Sequence, residues 1–232
     1  PENYSWQCTT CGACIVKCPV FINPVDEVVD LRRFQALTSG KLPKSISDLL
    51  RNFERQGNPW GIPADQKMAW AEELNVRELA EGDEVDVLYF VGCAAAFDQR
   101  NQKVARAFVK LLQKAGVDFG VLGFDEMCCG ETARRMGHEY MFQEFAKQNI
   151  ETFAKIKFNR VVTACPHCFN TLKNEYPQMG GDYKVMHYTE LLAELKLPAP
   201  NANGNGVHGK VSYHDSCYLG RYNEIYKEPR AL

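Results

Sequence analysis

The chain has 232 residues, 45% hydrophobic and 24% charged, a composition that supports a packed core and argues against disorder. A net charge of −2 gives no electrostatic case for binding nucleic acid or an anionic membrane surface. No apolar run reaches bilayer length and no signal peptide is visible. Ten cysteines could mean a secreted disulfide framework, but such frameworks belong to small domains that lack a core. Here the cysteines fall in CxxC-type groups inside a strand–helix pattern, which favours metal binding in a reducing, cytoplasmic compartment. The chain opens at Pro1 and ends soon after a new motif begins at Cys217, so it is expected to be a piece of a longer protein.

Residues 1–40 carry Cys8-Thr9-Thr10-Cys11-Gly12-Ala13-Cys14-Ile15-Val16-Lys17-Cys18-Pro19. This is the C-x2-C-x2-C-x3-C-P run of a bacterial-type [4Fe–4S] ferredoxin. Its short spacings let Cys8, Cys11 and Cys14 wrap one cubane, while Pro19 turns the chain and Cys18 would ligate another. A zinc knuckle would separate two CxxC pairs by a longer loop. A second such run, needed for a complete two-cluster domain, is absent from this sequence. A helix is predicted over 26–38, with Val25, Val28, Val29 and Leu31 on its apolar side and Arg32 and Arg33 facing water.

Residues 41–84 form a connector punctuated by Pro43, Gly57, Asn58, Pro59, Gly61 and Pro63. Helical pieces are expected over 47–56 and 64–80, with Trp60 and Trp70 as packing anchors between the flanking units. A domain spanning 85–200 follows, in which strands and helices alternate. Val85 to Val91 reads as a buried strand that delivers Cys93 at its carboxyl end. Residues 99–115 have helical periodicity, with Val104, Ala107, Phe108, Leu111 and Leu112 apolar and Gly116 as a stop.

Val117 to Leu122 is a second strand, with Cys128-Cys129-Gly130 in the loop beyond it. A helix is predicted from Glu131, then a longer one with Phe142, Phe145, Ile150, Phe153 and Ile156 on its core side. Strand 160–164 leads into Cys165-Pro166-His167-Cys168 and a helix over 169–175. A short strand at 185–188 and a helix over 189–196 come next. Residues 198–209 are a loop by composition. Residues 201–232 are read as the start of a truncated second unit, because 211–217 again looks like a strand ending in a cysteine, Cys217.

Residues just past the carboxyl ends of parallel strands converge on one crevice. The pattern therefore gathers Cys93, Cys128, Cys129, Cys165 and Cys168 at one place. Soft thiolates select iron–sulfur clusters or zinc over hard metals. A cubane needs four ligands, so five thiols, two of them adjacent, leave either a spare thiol or a bridging, non-cubane arrangement. Gly130 opens a helix whose amides would face an anionic cluster, and Arg134 and Arg135 either add positive charge there or face water. His167 and His214 lie beside cysteines and are candidates for proton handling; His187 and His208 are read as ordinary. No catalytic triad, phosphate loop or paired-carboxylate motif stands out, so the catalytic residues stay unassigned.

These residues resemble a known family. Cys93, Cys128-Cys129-Gly130 and Cys165-Pro166-His167-Cys168 are similar to the CCG, or cysteine-rich, domain of heterodisulfide reductase catalytic subunits. The same domain is found in iron–sulfur subunits of glycolate, lactate and anaerobic glycerol-3-phosphate oxidation. Gly57-Asn58-Pro59-Trp60-Gly61, Leu172 to Pro177 and Tyr213 to Asn223 narrow the resemblance, which covers nearly the whole chain. They look most like the large Fe–S oxidoreductases that pair with electron-transfer flavoproteins and pass electrons to quinone in a membrane.

The family pattern has two ferredoxin runs and two CCG motifs, often after a membrane domain. This chain matches the second run, the first CCG motif and the opening Cys217 of the second. The resemblance implies a Rossmann-like α/β domain with a mainly parallel sheet behind a small helical ferredoxin-like segment. It implies a [4Fe–4S] cluster at the CCG thiols, non-cubane in the heterodisulfide reductases and replaced by zinc in other relatives. It also implies a flavoprotein partner, quinone reached through a missing membrane part, and a place at the cytoplasmic face of that membrane. Two alternatives stand beside electron transfer: a catalytic heterodisulfide reductase, and a zinc-stabilised docking scaffold.

Overall fold

The computed structural model describes residues 4–197, 210 and 212–232. Two short helices, α1 (Tyr4–Gln7) and α2 (Ala13–Lys17), flank the loop that carries the first cysteines. α3 (Pro24–Phe34) starts where Asn23 accepts from the Val25 amide at 3.1 Å and Pro24 takes the first turn. It runs on as a π-helical turn, Gln35–Ser39. Arg32, expected in water, is buried beside Val25 and Val29, whereas Leu31 of the expected apolar side is exposed.

α4 (Lys44–Gln56) buries Leu50 and Phe53 and ends at Gly57. The helix expected over 64–80 is not formed. Two single 3-10 turns, Ala64–Gln66 and Ala69–Ala71, stand in its place, and the chain then extends until Glu78 bridges Val121. The Leu79 amide donates to the Val121 carbonyl at 2.9 Å, so the sheet edge takes up backbone groups a helix would have paired internally.

β1 (Glu84–Phe90), α5 (Gly92–Phe97), α6 (Gln99–Lys114), β2 (Phe119–Gly120), α7 (Glu131–Arg135) and α8 (Glu139–Phe153) follow. Then come β3 (Lys157–Thr163), α9 (Pro166–Asn170), β4 (Val185–His187), α10 (Tyr188–Leu195), α11 (Cys217–Asn223) and α12 (Lys227–Ala231). The strands make one all-parallel sheet in the order β2-β1-β3-β4, the α/β architecture expected. Tyr89 stands opposite Val162, and Thr163 opposite His187. From Val85 to Phe90 only Asp86 escapes burial, as suits a strand covered on both faces.

One face packs Phe90 and Val161 against Phe142, Phe145, Phe153 and Phe169. The other packs Tyr89 and Val162 against Trp70, Phe108, Leu112 and Leu191. Each such side chain contributes roughly 1.5–3 kcal/mol by leaving water. α6 is capped by Asp98, which accepts from the Asn101 amide at 2.9 Å, and buries Ala105, Phe108, Val109 and Leu112. Val104, expected on the core side, lies at the edge of that face and is 38% exposed.

α9 begins three residues before the expected helix, because Pro166 fits the first turn directly after Cys165, and it continues as a π turn, Thr171–Glu175. The loop expected over 198–209, and Val211, lie outside the described residues. The strand expected over 211–217 is corrected. Residues 212–216 form none, and Cys217 opens α11. This segment pairs with no strand of the sheet, and its apolar Tyr218 and Leu219 are buried by helix packing against α9 and α2 instead.

β1 connects through α6 to β2 on one side, and β2 connects through α8 across β1 to β3 on the other. The carboxyl ends of β1 and β3 therefore flank the point where strand order reverses, which is where open parallel sheets form a crevice.

Candidate metal centre

Three loops at that crevice supply the five thiols. Cys93 lies in the first turn of α5 just past β1, Cys165 caps α9 just past β3, and Cys128 and Cys129 sit between β2 and α7. Gly92 has φ +75°, and a Cβ there would approach the Cys168 Sγ to 3.1 Å. A side chain at this position would strain the backbone and press on a thiol.

The loops are fastened to one another from behind. The buried Glu126 carboxylate accepts from the Val91 and Gly92 amides, both at 2.8 Å, and so ties the Cys128 loop to the Cys93 loop. Asn149 accepts from the Met127 amide at 2.9 Å and donates to the Met127 and Cys128 carbonyls, each at 3.2 Å. The Tyr176 hydroxyl donates to the Cys129 carbonyl at 3.2 Å. Next to Gly130 stands the core side chain Phe142, so that glycine's tight approach is to the core.

The Cys93 and Cys128 sulfurs are 3.7 Å apart. Cys129, Cys165 and Cys168 line the same cleft as this pair, and neighbouring thiols shift one another's ionisation, so the five lie together as one row. Contacts with Cys129 and Cys93 hold Cys128 well below the ordinary thiol range, and Cys168 pulls Cys165 down to about 7. Cys93, Cys129 and Cys168 are pushed up in exchange, each first of all by a neighbouring thiol. Thiol neighbours thus favour the thiolate at Cys128 and Cys165, the form a metal binds.

The row lines a cleft of about 380 Å³, shared with Thr9, Thr10, Trp60, Arg135 and His167. Trp60 is 46% exposed at its rim and is not the packing anchor expected, whereas Trp70 is fully buried. His167 Nδ1 lies 3.0 Å from the Glu131 carboxylate. Burial pushes the Glu131 carboxyl up, but the His167 bond and charge outweigh it and hold it below its ordinary value. Burial acts to lower His167, and the bond to Glu131 raises it overall.

Arg134 and Arg135 do not face water: both pair with Glu175, Arg134 at 3.0 Å. His214 is exposed, and His208 lies outside the described residues. His187 is buried against the Ala164 carbonyl and Thr189, with burial lowering it to about 4.

The first cysteine group stays apart from this row. Cys8, Cys11 and Cys18 are half-buried and Cys14 is exposed. The Cys8 sulfur accepts from the Thr10 amide and the Cys18 sulfur from the Ile22 amide, both at 3.3 Å. The Ala13 amide lowers Cys11. Arg32 donates to the Ser5 and Cys8 carbonyls and, at 3.0 Å, to the Arg135 carbonyl, joining this loop to the crevice. Cys217 joins the ferredoxin loop: Arg221 donates to its sulfur at 3.2 Å and to the Cys11 carbonyl at 3.1 Å.

Glu126, Asn149 and Arg32 are functional supports that sequence reading missed. For Asn149 a signal existed, since it interrupts an apolar face between Phe145 and Phe153. Glu126 sits in a loop with no period to break.

Among the described residues, no three His, Cys, Asp or Glu side chains meet the geometry of a single bound metal ion. The thiols form a lined cleft and not a closed cage. Five soft donors beside an opening of that size fit an iron–sulfur cluster by donor chemistry.

Residues 87–173 match the family model described as the cysteine-rich domain, CCG. The chain is 43% identical over 97% of its length to the EtfAB:quinone oxidoreductase of Syntrophomonas wolfei, covering 32% of that protein. It is 40% identical over 98% of its length to a probable membrane-anchored ferredoxin of Chromohalobacter salexigens, covering 34%. It is 30% identical over 96% of its length to a dihydromethanophenazine:CoB–CoM heterodisulfide reductase polypeptide of Methanosarcina barkeri, covering 54%. The chain thus spans about a third of the first two relatives and about half of the third. No solved structure matches it. No helix among the described residues is long and apolar enough to cross a membrane. All five thiols of the crevice lie inside residues 87–173, the stretch that matches the cysteine-rich, CCG, domain.

Proposed function

We propose that this chain is the iron–sulfur electron-transfer unit of an oxidoreductase that carries electrons between a flavoprotein and a quinone pool. The observation that carries the reading is the row of five thiols at the sheet's switch point, fastened to a ferredoxin-type loop by Arg32. The relative named EtfAB:quinone oxidoreductase supplies the flavoprotein and quinone context. In this reading Cys8, Cys11 and Cys14 hold a cubane, Cys18 serves a second one, and Cys93, Cys128, Cys129, Cys165 and Cys168 hold the CCG centre. Cys217 begins a second CCG site that other parts of the whole protein complete. Bound clusters supply one-electron storage. Glu126 and Asn149 hold the ligand loops in place. The whole protein works at the cytoplasmic face of a membrane, with quinone reached through a part beyond this chain.

Rapid mixing of the anaerobic full-length protein with reduced electron-transfer flavoprotein, followed by freeze-quench EPR and then a soluble quinone, tests it. Iron–sulfur signals that appear with the flavoprotein and vanish with the quinone are expected. Clusters that stay oxidised against the flavoprotein would refute it.

A second reading, reduction of a heterodisulfide, is favoured by His167 on Glu131 at the mouth of the cleft, where a proton donor would stand beside the thiols. Cleaving a disulfide to two thiols takes up two electrons and two protons. A substrate-induced paramagnetic signal on adding the heterodisulfide would favour this reading over a pure relay.

A further inference from the structure

The ferredoxin loop and the CCG loop meet on one side chain that neither motif contains. Tyr218, 2% exposed, stands on α11 directly after Cys217. Its hydroxyl is 2.8 Å from the Thr10 hydroxyl, and Thr10 lies between Cys8 and Cys11. Its ring lies 4.2 Å, centroid to centroid, from His167, which lies between Cys165 and Cys168. The other side of the contact is closed by Tyr222, stacked on Tyr218 at 4.7 Å. Tyr222 donates to the Thr10 carbonyl at 2.7 Å, and a Cβ on Gly12 would come within 2.9 Å of its ring. The far end of α11 is held as well, since Asn223 donates to the Asn170 side chain of α9 at 3.0 Å. α11 is therefore a brace that touches both cysteine loops from each of its ends.

We propose that Tyr218 is a positioning residue that sets the ferredoxin loop against the CCG loop, fixing the separation and orientation of whatever the two cysteine sets hold. The inference rests on the electron-transfer reading for its consequence: the brace governs how strongly the two centres sense one another. Its geometry follows from side-chain physics. A buried Tyr–Thr hydroxyl bond, with ring contacts to the partly buried Tyr222 and the half-exposed His167, narrows the arrangements open to the loop. Neither motif's spacing encodes it, because the residue that does the joining lies some two hundred positions downstream of Thr10.

The test uses the anaerobic full-length holoprotein with Y218L, which removes ring and hydroxyl, and Y218F, which removes only the bond to Thr10. Iron and sulfide per chain, the potential of each centre, and the spin–spin splitting between the reduced centres are read together. The expected result is loss of the splitting in Y218L with iron content and potentials kept, and a reduced splitting in Y218F. Unchanged splitting in Y218L overturns the proposal. Should Y218L fail to load iron, Y218F decides alone, and splitting equal to wild type overturns it. Wild-type protein with no iron at the CCG thiols would overturn the electron-transfer reading and this inference together. Coupling in wild type that persists in the variants overturns the inference only.

Discussion

The ferredoxin loop takes Cys8, Cys11, Cys14 and Cys18 from one short stretch and leaves all four at least partly accessible. The CCG row draws its five thiols from three separate strand ends and buries three of them. In the first case geometry is set by spacing along the chain, and in the second by the sheet and the residues that clamp its loops. A local site should therefore tolerate damage to the fold that empties the assembled one. Variants that separate the two behaviours sharpen this contrast, and variants that move both sites together break it.

The largest effect is expected from Glu175→Ala. Both Arg134 and Arg135 pair with this carboxylate, and all three side chains are largely buried. Without it Arg134 keeps the carboxylate of Glu139, at 3.5 Å, and Arg135 that of Glu131, at 3.6 Å, so part of the buried charge loses its partner, at a cost of about 3 kcal/mol. Urea unfolding should show that loss together with lower metal content at the CCG row. A loss under about 1 kcal/mol would mean that the arginines reach water as exposed pairs do.

Two glycines give a matched pair of smaller effect. Gly92→Ala forces a side chain into the left-handed region against Cys168, and Gly12→Ala does the same against Tyr222. Each costs about 1–2 kcal/mol in backbone strain. Metal analysis with EPR should find the CCG centre depleted in the first and the ferredoxin-type centre in the second. Depletion of both centres by either variant would contradict their separate construction.

An effect confined to acid, and absent at neutral pH, comes last. His187 titrates at about 4 when folded, below its ordinary 6.5, because burial disfavours the imidazolium. Unfolding then takes up a proton between these values, so its stabilisation is full above about pH 6.5 and is lost as pH falls toward 4. The slope is at most about 1.4 kcal/mol per pH unit. His187→Gln should flatten the stability profile in that window, as followed by thermal unfolding. Identical slopes in the two proteins would place the acid sensitivity elsewhere.

How much of this was legible before the structure follows the same division. The ferredoxin run could be read from spacing alone, and each CCG group from the strand it follows, because a fully apolar run such as Val87 to Val91 has few other readings. Strand order could not be read, since β2 is only Phe119–Gly120 and its pairing is decided by contacts far along the chain. Residues 64–80 misled because the end of the expected helix is drawn into an edge bridge, Glu78 to Val121. The strand expected before Cys217 misled because alternation alone supplies no partner strand. Tyr218, Glu126 and Arg32 act across long sequence separations, and no local pattern marks them.

The most direct measurement of the central claim is iron, zinc and acid-labile sulfide per chain in anaerobically purified full-length protein, compared with its C128A/C129A variant. If the five-thiol row holds an iron–sulfur centre, the variant should lose about four iron and four sulfide per chain relative to wild type. Loss of about one zinc, with iron and sulfide unchanged, would contradict it and make the row a structural metal site.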